Sequence, residues 1–315
     1  MGAIQTTTVT TSKTRPRFLG WRFRRHIPLY LFLLPGLIGL VLFSFYPMYG
    51  VVIAFQNYKP LMGIAKSPWV GLYHFQRMFT LPDTWEIFRN TVLIALGKIV
   101  FGQLASLILA LLLHEVTQAR YKRLIQSLTY VLNFLSWVIF GGILLDILLA
   151  DGLVNQFVSL FGLSKVPFLT SASLFPFTMI FTDTWKGFGF GAIIYLAALT
   201  GVDPNLYEAA AVDGANRWQR MLHINLPGII PTLVLMACLS LGNVLNAGFE
   251  QILVLQNPQV LSTGEIIDTF VYKVGLMNYQ YSFATAVGLL KGVVGMVLIS
   301  VSYYLADRFA NYRIF

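Results

Sequence analysis

Residues Tyr207–Pro227, YEAAAVDGANRWQRMLHINLP, form a polar, helix-forming island between two long apolar runs. Runs of about 20 apolar residues are long enough to cross a lipid bilayer as helices. Charged groups are costly inside the hydrocarbon, so a polar segment of this kind belongs outside it. The island therefore predicts a membrane protein in which two spans are joined by a structured, water-exposed loop.

The residues around this island carry the signals of a helix, a turn and a second helix. Asp203 and Pro204 suit an N-cap and a first helical position. Gly214 suits the left-handed residue that ends a helix, and Asn216 can cap a second short helix, Arg217–His223. The sequence thus predicts two short helices that meet at an angle, with a small alanine face that a partner can approach closely.

The composition of the whole chain agrees with a membrane protein. Of its 315 residues 57% are hydrophobic and 11% are charged, and the mean hydropathy is +0.69. Asp183 and Lys186 interrupt the fourth apolar run, and Pro35 and Pro47 lie inside the first, which favours a kink there. We predict an all-α fold with six transmembrane helices at about Pro28–Phe55, Thr91–Leu113, Leu124–Leu149, Leu174–Leu199, Leu226–Phe249 and Phe283–Ala306.

Lysine and arginine counts predict the orientation of these spans. The N-terminal tail, the loops after spans two and four and the C-terminus hold thirteen of them, the alternate side holds six, and three lie within spans. Both termini and the loop at 203–227 are therefore expected in the cytoplasm. We predict a disordered, basic tail at 1–27 and a transmembrane domain at 28–315, with the excess positive charge attracted to anionic lipid.

The spacing in the polar island resembles the EAA loop of permease subunits in binding-protein-dependent type I ABC importers. Two other stretches, Trp69–Phe75 and Pro47–Gln56, look like the carbohydrate- and polysaccharide-type permeases of the maltose-permease-like superfamily. In that family the loop carries the coupling helix that engages the ATPase. The resemblance implies this role for Glu208, Ala209, Ala210, Asp213, Gly214, Ile224, Leu226 and Pro227.

The same resemblance implies a complex and a location. The partners would be a second homologous permease, two ATP-binding cassette ATPase subunits and an extracytoplasmic solute-binding protein, in the cytoplasmic (inner) membrane of a bacterial-type cell. The substrate would be a carbohydrate, an oligosaccharide by preference, whose identity, length and charge the sequence leaves open.

Polar residues inside the predicted spans mark a candidate substrate pathway, because such groups usually face a partner or a pathway. Asn243 and Asn246 are expected on one helical face, roughly 24 Å from Pro227 for Asn243. Lys186 is expected at a similar depth, roughly 21 Å from Thr200. Amides suit sugar hydroxyls, and resemblance to maltose-type permeases places pocket residues on these two spans. The predicted pathway residues are Lys186, Gly187, Phe190, Asn243 and Asn246.

Each of these residues also has a structural interpretation. Asn243 and Asn246 are of a type that often joins helices by hydrogen bonds, and the glycines near Gly187 can serve close helix packing. An ion pair with Asp183, one helical turn away, explains Lys186 as well as substrate contact does.

Other functions lack their motifs in this sequence. No phosphate-binding loop with Gly-Lys-Ser or Gly-Lys-Thr is present, the four histidines are scattered, and no nucleophile elbow appears. We therefore expect no catalytic residues, metal or cofactor, with ATP hydrolysis left to other subunits. The basic residues cluster at membrane borders, which disfavours nucleic-acid binding. A secondary transporter or a membrane scaffold remains the alternative, although we find no convincing internal repeat.

Overall fold

The computed structural model describes the backbone of residues 19–310 and the side chains of residues 26–308. Within that range the chain is helical, with one isolated antiparallel bridge between Gln56 and Trp69. Residues 1–18 of the predicted disordered tail lie outside the described residues. The last part of that tail is helical, because the first helix begins at Leu19.

Residues 19–310 form sixteen α-helices. Segments of 3₁₀-helix at Tyr49–Phe55, Leu132–Phe134 and Pro258–Val260 and of π-helix at Val41–Phe45, Met221–Asn225 and Lys273–Met277 extend or join them. The α-helices are α1 Leu19–Leu40, α2 Tyr46–Met48, α3 Gly63–Lys66, α4 Tyr73–Thr80, α5 Thr84–Glu115, α6 Ala119–Val131, α7 Trp137–Leu148, α8 Leu153–Leu160, α9 Phe175–Thr200, α10 Pro204–Val212, α11 Arg217–Arg220, α12 Leu226–Leu241, α13 Phe249–Leu255, α14 Leu261–Gly264, α15 Ile267–Tyr272 and α16 Tyr281–Ala310.

Several of these helices are long and apolar enough to cross a membrane. There are five in the described residues, or six if α9 and α10, bent by 74° at their junction, count as one span. The predicted fold class, an all-α membrane protein, is confirmed. The five are His26–Phe55, Thr84–Glu115, Trp137–Leu160, Arg217–Leu241 and Tyr281–Arg308.

The chain divides into two compact units by its internal contacts, Met1–Val51 and Val52–Phe315. The described part of the first unit is α1, which runs through two prolines, followed by the π-helix Val41–Phe45 and by α2. The second unit holds α3 to α16 and all of the residues discussed below.

Two π-helical segments each end two residues before a proline, Val41–Phe45 before Pro47 and Met221–Asn225 before Pro227. Proline has no N–H to donate, and its ring clashes with the carbonyl four residues earlier, which lies inside the π segment in both cases. The wider helical turn therefore continues the helix across a residue that would otherwise break it.

The helices differ from the predicted spans in two places. The third predicted span is broken: α6 ends at Val131, and α7 starts after Ser136, whose hydroxyl accepts a hydrogen bond from the N–H of Ile139 at 3.3 Å. The fifth predicted span ends earlier than expected, since α12 ends at Leu241, and its helix also begins earlier, at Arg217. The apolar composition continues across both breaks, so hydropathy alone does not reveal them.

The centre of the second unit is the pair α5 and α9, which pack along each other. Small residues allow the close approach: a Cβ at Gly97 would clash with Ile180, and one at Gly191 would clash with Ser106. Without a hydrophobic difference between lipid and protein interior, such close packing is what holds membrane helices together. A second contact joins α12 to α16. The functional residues described below lie at one end of this framework and in its interior.

Candidate functional site

The loop at 203–227 forms the predicted helix, turn and helix. A carboxylate oxygen of Asp203 accepts a hydrogen bond from the N–H of Asn205 at 2.9 Å and caps α10. Gly214 has a φ of +72°, and the N–H groups of Gly214 and Ala215 donate back to Ala211 and Ala210. These paired bonds satisfy the last carbonyls of α10 in the way a left-handed glycine cap permits.

The second half of the loop starts with a capping box. Asn216 accepts from the N–H of Gln219 at 2.9 Å, and Gln219 accepts from the N–H of Asn216 at 2.8 Å. The helix that follows does not stop at His223. It runs without interruption from Arg217 to Leu241, so Pro227 lies inside a continuous helix and does not start a new one.

The outer face of this loop is exposed and partly apolar. Glu208, Ala209, Asp213, Gly214 and Pro227 are exposed, whereas Ala210, Ile224 and Leu226 are half-buried. Four large apolar side chains are also exposed on the loop, with Val212 at 89% of its maximum, namely Leu206, Val212, Trp218 and Leu222. An apolar surface on a polar loop is typical of a site that another protein covers.

The inner face of the loop is held by Asn225, which the sequence analysis did not single out. The Asn225 side chain is fully buried. Its amide oxygen accepts from the Tyr207 hydroxyl at 2.7 Å, and its amide nitrogen donates to a carboxylate oxygen of Glu115 at 3.5 Å. One side chain thus joins α10, the end of α5 and the start of α12. An asparagine directly before an apolar run was the signal available in the sequence.

A second group of polar residues lies inside the bundle, around Lys98. The Lys98 ammonium donates to the Ala247 carbonyl at 2.7 Å and to the side-chain oxygen of Gln251, and it lies 3.4 Å from a carboxylate oxygen of Asp183. Gly248, with φ at +93°, passes so close that a Cβ there would lie 2.5 Å from the ammonium. A glycine is therefore required at this approach.

The two asparagines of the predicted pathway lie next to this group, but not on a helix. Asn243 and Asn246 are in the turn that follows α12, where the Asn246 amide N–H group donates to the Asn243 side-chain oxygen at 3.4 Å. They were expected on one face of a longer helix, and this expectation is wrong because the helix ends at Leu241. With other residues they line a cavity of about 280 Å³, formed by Ala95, Lys98, Ile99, Asp183, Ser240, Asn243, Asn246 and Gly248.

A larger cavity of about 560 Å³ adjoins the first and shares Asn246 with it. Lys291 lies at its wall and donates to the Asn246 side-chain oxygen at 2.8 Å and to an Asp268 carboxylate oxygen at 2.5 Å. Aromatic side chains form much of the rest of the lining, at Phe249, Tyr272 and Tyr281. The sequence analysis counted Lys291 only among the three basic residues within spans, and it did not identify Asp268.

The remaining predicted pathway residues lie elsewhere on α9. Lys186 is buried, donates to the Asn133 carbonyl at 3.1 Å and lies over the Trp137 ring, 5.3 Å from its centroid. It forms neither the expected pair with Asp183, which contacts Lys98, nor any part of the two cavity walls. Gly187 faces open space, and Phe190 is half-exposed beside Phe134.

Another glycine of α9, Gly189, allows close packing between helices. A Cβ at Gly189 would clash with the backbone of Thr129 on α6, so a glycine is needed at this crossing. Within residues 19–310 no group of three or more histidine, cysteine, aspartate or glutamate side chains lies close enough to hold a metal ion.

Comparison with known proteins gives a family match. Residues 102–312 match the sequence profile of the family described as binding-protein-dependent transport system inner membrane component. The chain is 44% identical over 289 residues to the polygalacturonan/rhamnogalacturonan transport system permease protein YteP of Bacillus subtilis (strain 168), covering 91% of this chain and 90% of that protein. It is 42% identical over 288 residues to the protein LplB of the same organism, with 91% of each covered.

The fold is similar to a solved transporter structure as well. It matches a chain of a bacterial ABC transporter involved in the import of the acidic polysaccharide alginate, with a TM-score of 0.85, 34% identity, and 92% of this chain and 99% of that chain covered. The same score and identity hold for the bacterial alginate ABC transporter in complex with an alginate pentasaccharide-bound periplasmic protein.

Proposed function

Because the chain belongs to the family of binding-protein-dependent transport system inner membrane components, we propose that it is the permease subunit of an ATP-driven importer for acidic oligosaccharides. Membership in this family confirms the resemblance that the loop at 203–227 predicted. It also sets aside the alternatives of a secondary transporter and a scaffold. The chain is a multi-pass component of the cytoplasmic (inner) membrane, and its own role is transport.

The observation that carries the proposal is the polar turn Asn243–Asn246 at the junction of two cavities. Most of the surrounding bundle is apolar, and polar groups exposed to a cavity inside a membrane protein mark a pathway. The amide of Asn246 carries both hydrogen-bond donors and an acceptor, which suits sugar hydroxyls. The adjoining aromatic side chains provide flat faces of the kind that stack on sugar rings.

The substrate class is inferred from the relatives. YteP carries polygalacturonan and rhamnogalacturonan in its name, and the similar structure belongs to an importer of the acidic polysaccharide alginate. Polygalacturonan and alginate are both chains of uronic acids. An oligosaccharide with uronate carboxylates is therefore the substrate that we propose for this chain.

The exposed face of the loop at 203–227 is the proposed docking site for an ATPase subunit. It presents Glu208 and an alanine face next to exposed Val212 and Trp218. A second homologous permease, a second ATPase subunit and an extracytoplasmic solute-binding protein complete the proposed complex. ATP binding moves the loop, and the permease pair alternates between states open to either side.

The test of this function is ATP-dependent uptake by the complex reconstituted in vesicles with its partner subunits. We expect wild type to take up a galacturonate oligosaccharide when ATP and the solute-binding protein are supplied. Glu208→Lys should insert normally but lose ATPase-subunit association and uptake, because like charges at a docking surface cost several kcal/mol.

Glu86→Lys is the matched control for this experiment. Glu86 is also exposed, but it lies in the first turn of α5, at the other end of that helix from the loop. It should leave ATPase association at the wild-type level. Full uptake by the Glu208→Lys complex would refute the docking role, and absence of any uptake by wild type would refute the substrate class.

A further inference from the structure

The lysines of the bundle differ in how many hydrogen-bond donors they have left. An ammonium has three N–H donors. Lys98 has three acceptors around it, the Ala247 carbonyl, Gln251 and Asp183, so all its donors are in use. Lys186 lies outside both cavity walls, against Asn133 and Trp137. Neither side chain offers a free positive donor to a ligand in the cavities.

Lys291 is different, because it lines the larger cavity with a donor to spare. Its acceptors among the described residues are Asp268 and Asn246, which leaves one of three N–H groups for a ligand. The side chain keeps 19% of its exposure, so the ammonium is partly desolvated and still accessible. A charge-assisted hydrogen bond at such a place is stronger than one in open water.

Asn246, which contacts Lys291, provides a second donor beside it. The Asn246 amide has two N–H donors. One donates to Asn243, and the other has no acceptor among the described residues. The ammonium nitrogen and the Asn246 oxygen are 2.8 Å apart, so the two spare donors belong to adjacent groups. A carboxylate has two oxygens that accept such donors together.

The cavity has the length of a short oligosaccharide. Tyr281 and Lys291 both line it, and ten residues of α16 separate them by about 15 Å. Phe249 and Tyr272 also line this cavity. A sugar chain in this cavity can stack on the aromatic rings while one carboxylate reaches Lys291.

From these contacts we propose that Lys291 is the residue that selects acidic over neutral oligosaccharides. It binds a uronate carboxylate with its third N–H, beside the free amide N–H of Asn246, while Asp268 holds the side chain in position. This inference rests on the proposed function, because it names the group within the pathway that recognises the substrate charge.

A second ion pair in the same region provides the matched control. Lys273 and Glu265 are 2.8 Å apart, with 29% and 17% of their side chains exposed, close to the 19% and 26% of Lys291 and Asp268. Neither Lys273 nor Glu265 lines one of the two cavities. Replacing Lys273 therefore removes the same charge from a similarly buried ion pair, but at a place that does not contact the substrate.

The experiment compares two substrates of equal length in the reconstituted complex. One is a galacturonate oligosaccharide, and the other is its fully methyl-esterified form, which lacks the charges. Lys291→Gln should reduce the ratio of apparent affinities, acid over ester, by about tenfold, the worth of one charge-assisted hydrogen bond. Lys273→Gln should leave the ratio unchanged, and Lys291→Arg should restore most of it.

Three results would overturn the inference. The first is an unchanged ratio in Lys291→Gln complexes. The second is loss of the partner permease from Lys291→Gln complexes with a normal ratio in those that assemble, which would make Lys291 an interface residue. The third is an equal loss of ratio in Lys273→Gln complexes. Failure of wild type to take up either substrate refutes the substrate class of the proposed function and is distinguishable from all three.

Discussion

Lys98 is a charged side chain that the fold buries inside the helix bundle. It keeps 9% of its exposure, and its three donors reach α9, α13 and the turn before α13. Gln251 extends the group, because its amide donates to the Met179 carbonyl at 2.9 Å and to the Thr182 hydroxyl at 2.7 Å. This network ties the segment after the polar turn to the main helix pair.

Lys98→Met should destabilise the protein, because it leaves the Ala247 carbonyl and Gln251 without their donor. A buried acceptor that loses its partner costs about 1–3 kcal/mol. Thermal unfolding of the purified complex should show the loss, and Lys98→Met with Asp183→Asn should recover part of it by removing the unpaired charge.

The control for this prediction is Lys165→Met, which removes an exposed ion pair with Asp151 and should not change the unfolding temperature measurably. A Lys98→Met protein with wild-type thermal stability would contradict the structural role assigned here.

The sequence identified the charged residues of this region but not their partners. Asp183 and Lys186 are three residues apart on one helix, so a local pair was a reasonable expectation. In the structure Asp183 contacts Lys98 on α5, while Lys186 contacts Asn133. Partner choice depends on the packing of α5 against α9, which brings residues distant in sequence together, and a single sequence does not reveal that packing.

At the scale of the secondary-structure elements, the loop at 203–227 is a helical hairpin whose angle is set by one residue. Both of its helices are capped by their own side chains, so their ends need no contact with a partner. The left-handed backbone of Gly214 then fixes the direction in which the second helix leaves. The exposed face that we propose for docking is therefore formed by the loop itself, without a partner.

Gly214→Val should disturb this hairpin through the backbone alone. A Cβ at Gly214 meets no other atom within 4 Å, so there is no steric clash with neighbours. A left-handed conformation costs a non-glycine residue roughly 1–2 kcal/mol, and more for a β-branched one. We expect Gly214→Val to weaken ATPase-subunit association, whereas Gly214→Asn, which tolerates this conformation, should keep it.

Association can be measured by co-purification of the ATPase subunit. Equal association of the Val and Asn variants would show that the left-handed residue does not position the docking face.

The ends of the elements show where the sequence was sufficient and where it was not. Caps at Asp203 and Asn216 follow from local hydrogen bonds, and local residues were enough to predict them. The end of α12 was missed because the apolar run continues past Leu241. The turn-forming residues between Gly242 and Gly248 contained the missing signal, since glycine and asparagine favour turns.

On the scale of the whole molecule, the orientation in the membrane stays a prediction. It rests on the excess of lysine and arginine on one side. The helices fix which residues lie far apart along a span, and the lysine and arginine counts predict which end faces the cytoplasm.

The orientation can be tested with two single cysteines in a Cys238→Ser background. Val212, at 89% exposure, lies on α10, and Ser164 is exposed in the segment between α8 and α9. With intact cells and a membrane-impermeant maleimide, Ser164→Cys should be labelled and Val212→Cys should be protected until the membrane is opened. Labelling of both positions from outside would contradict the predicted topology.

The uninterrupted helix from Arg217 to Leu241 gives the molecule a lever arm. Its 25 residues are about 37 Å long at the usual rise per residue. A tilt of about 10° around the end near Asn225 would move the far end, where the polar turn with Asn243 begins, by roughly 4 Å over the 16 residues of α12 beyond it. That displacement is close to the length of one sugar ring, so under the proposed function a small rotation at the loop is enough to advance or release a single monosaccharide unit.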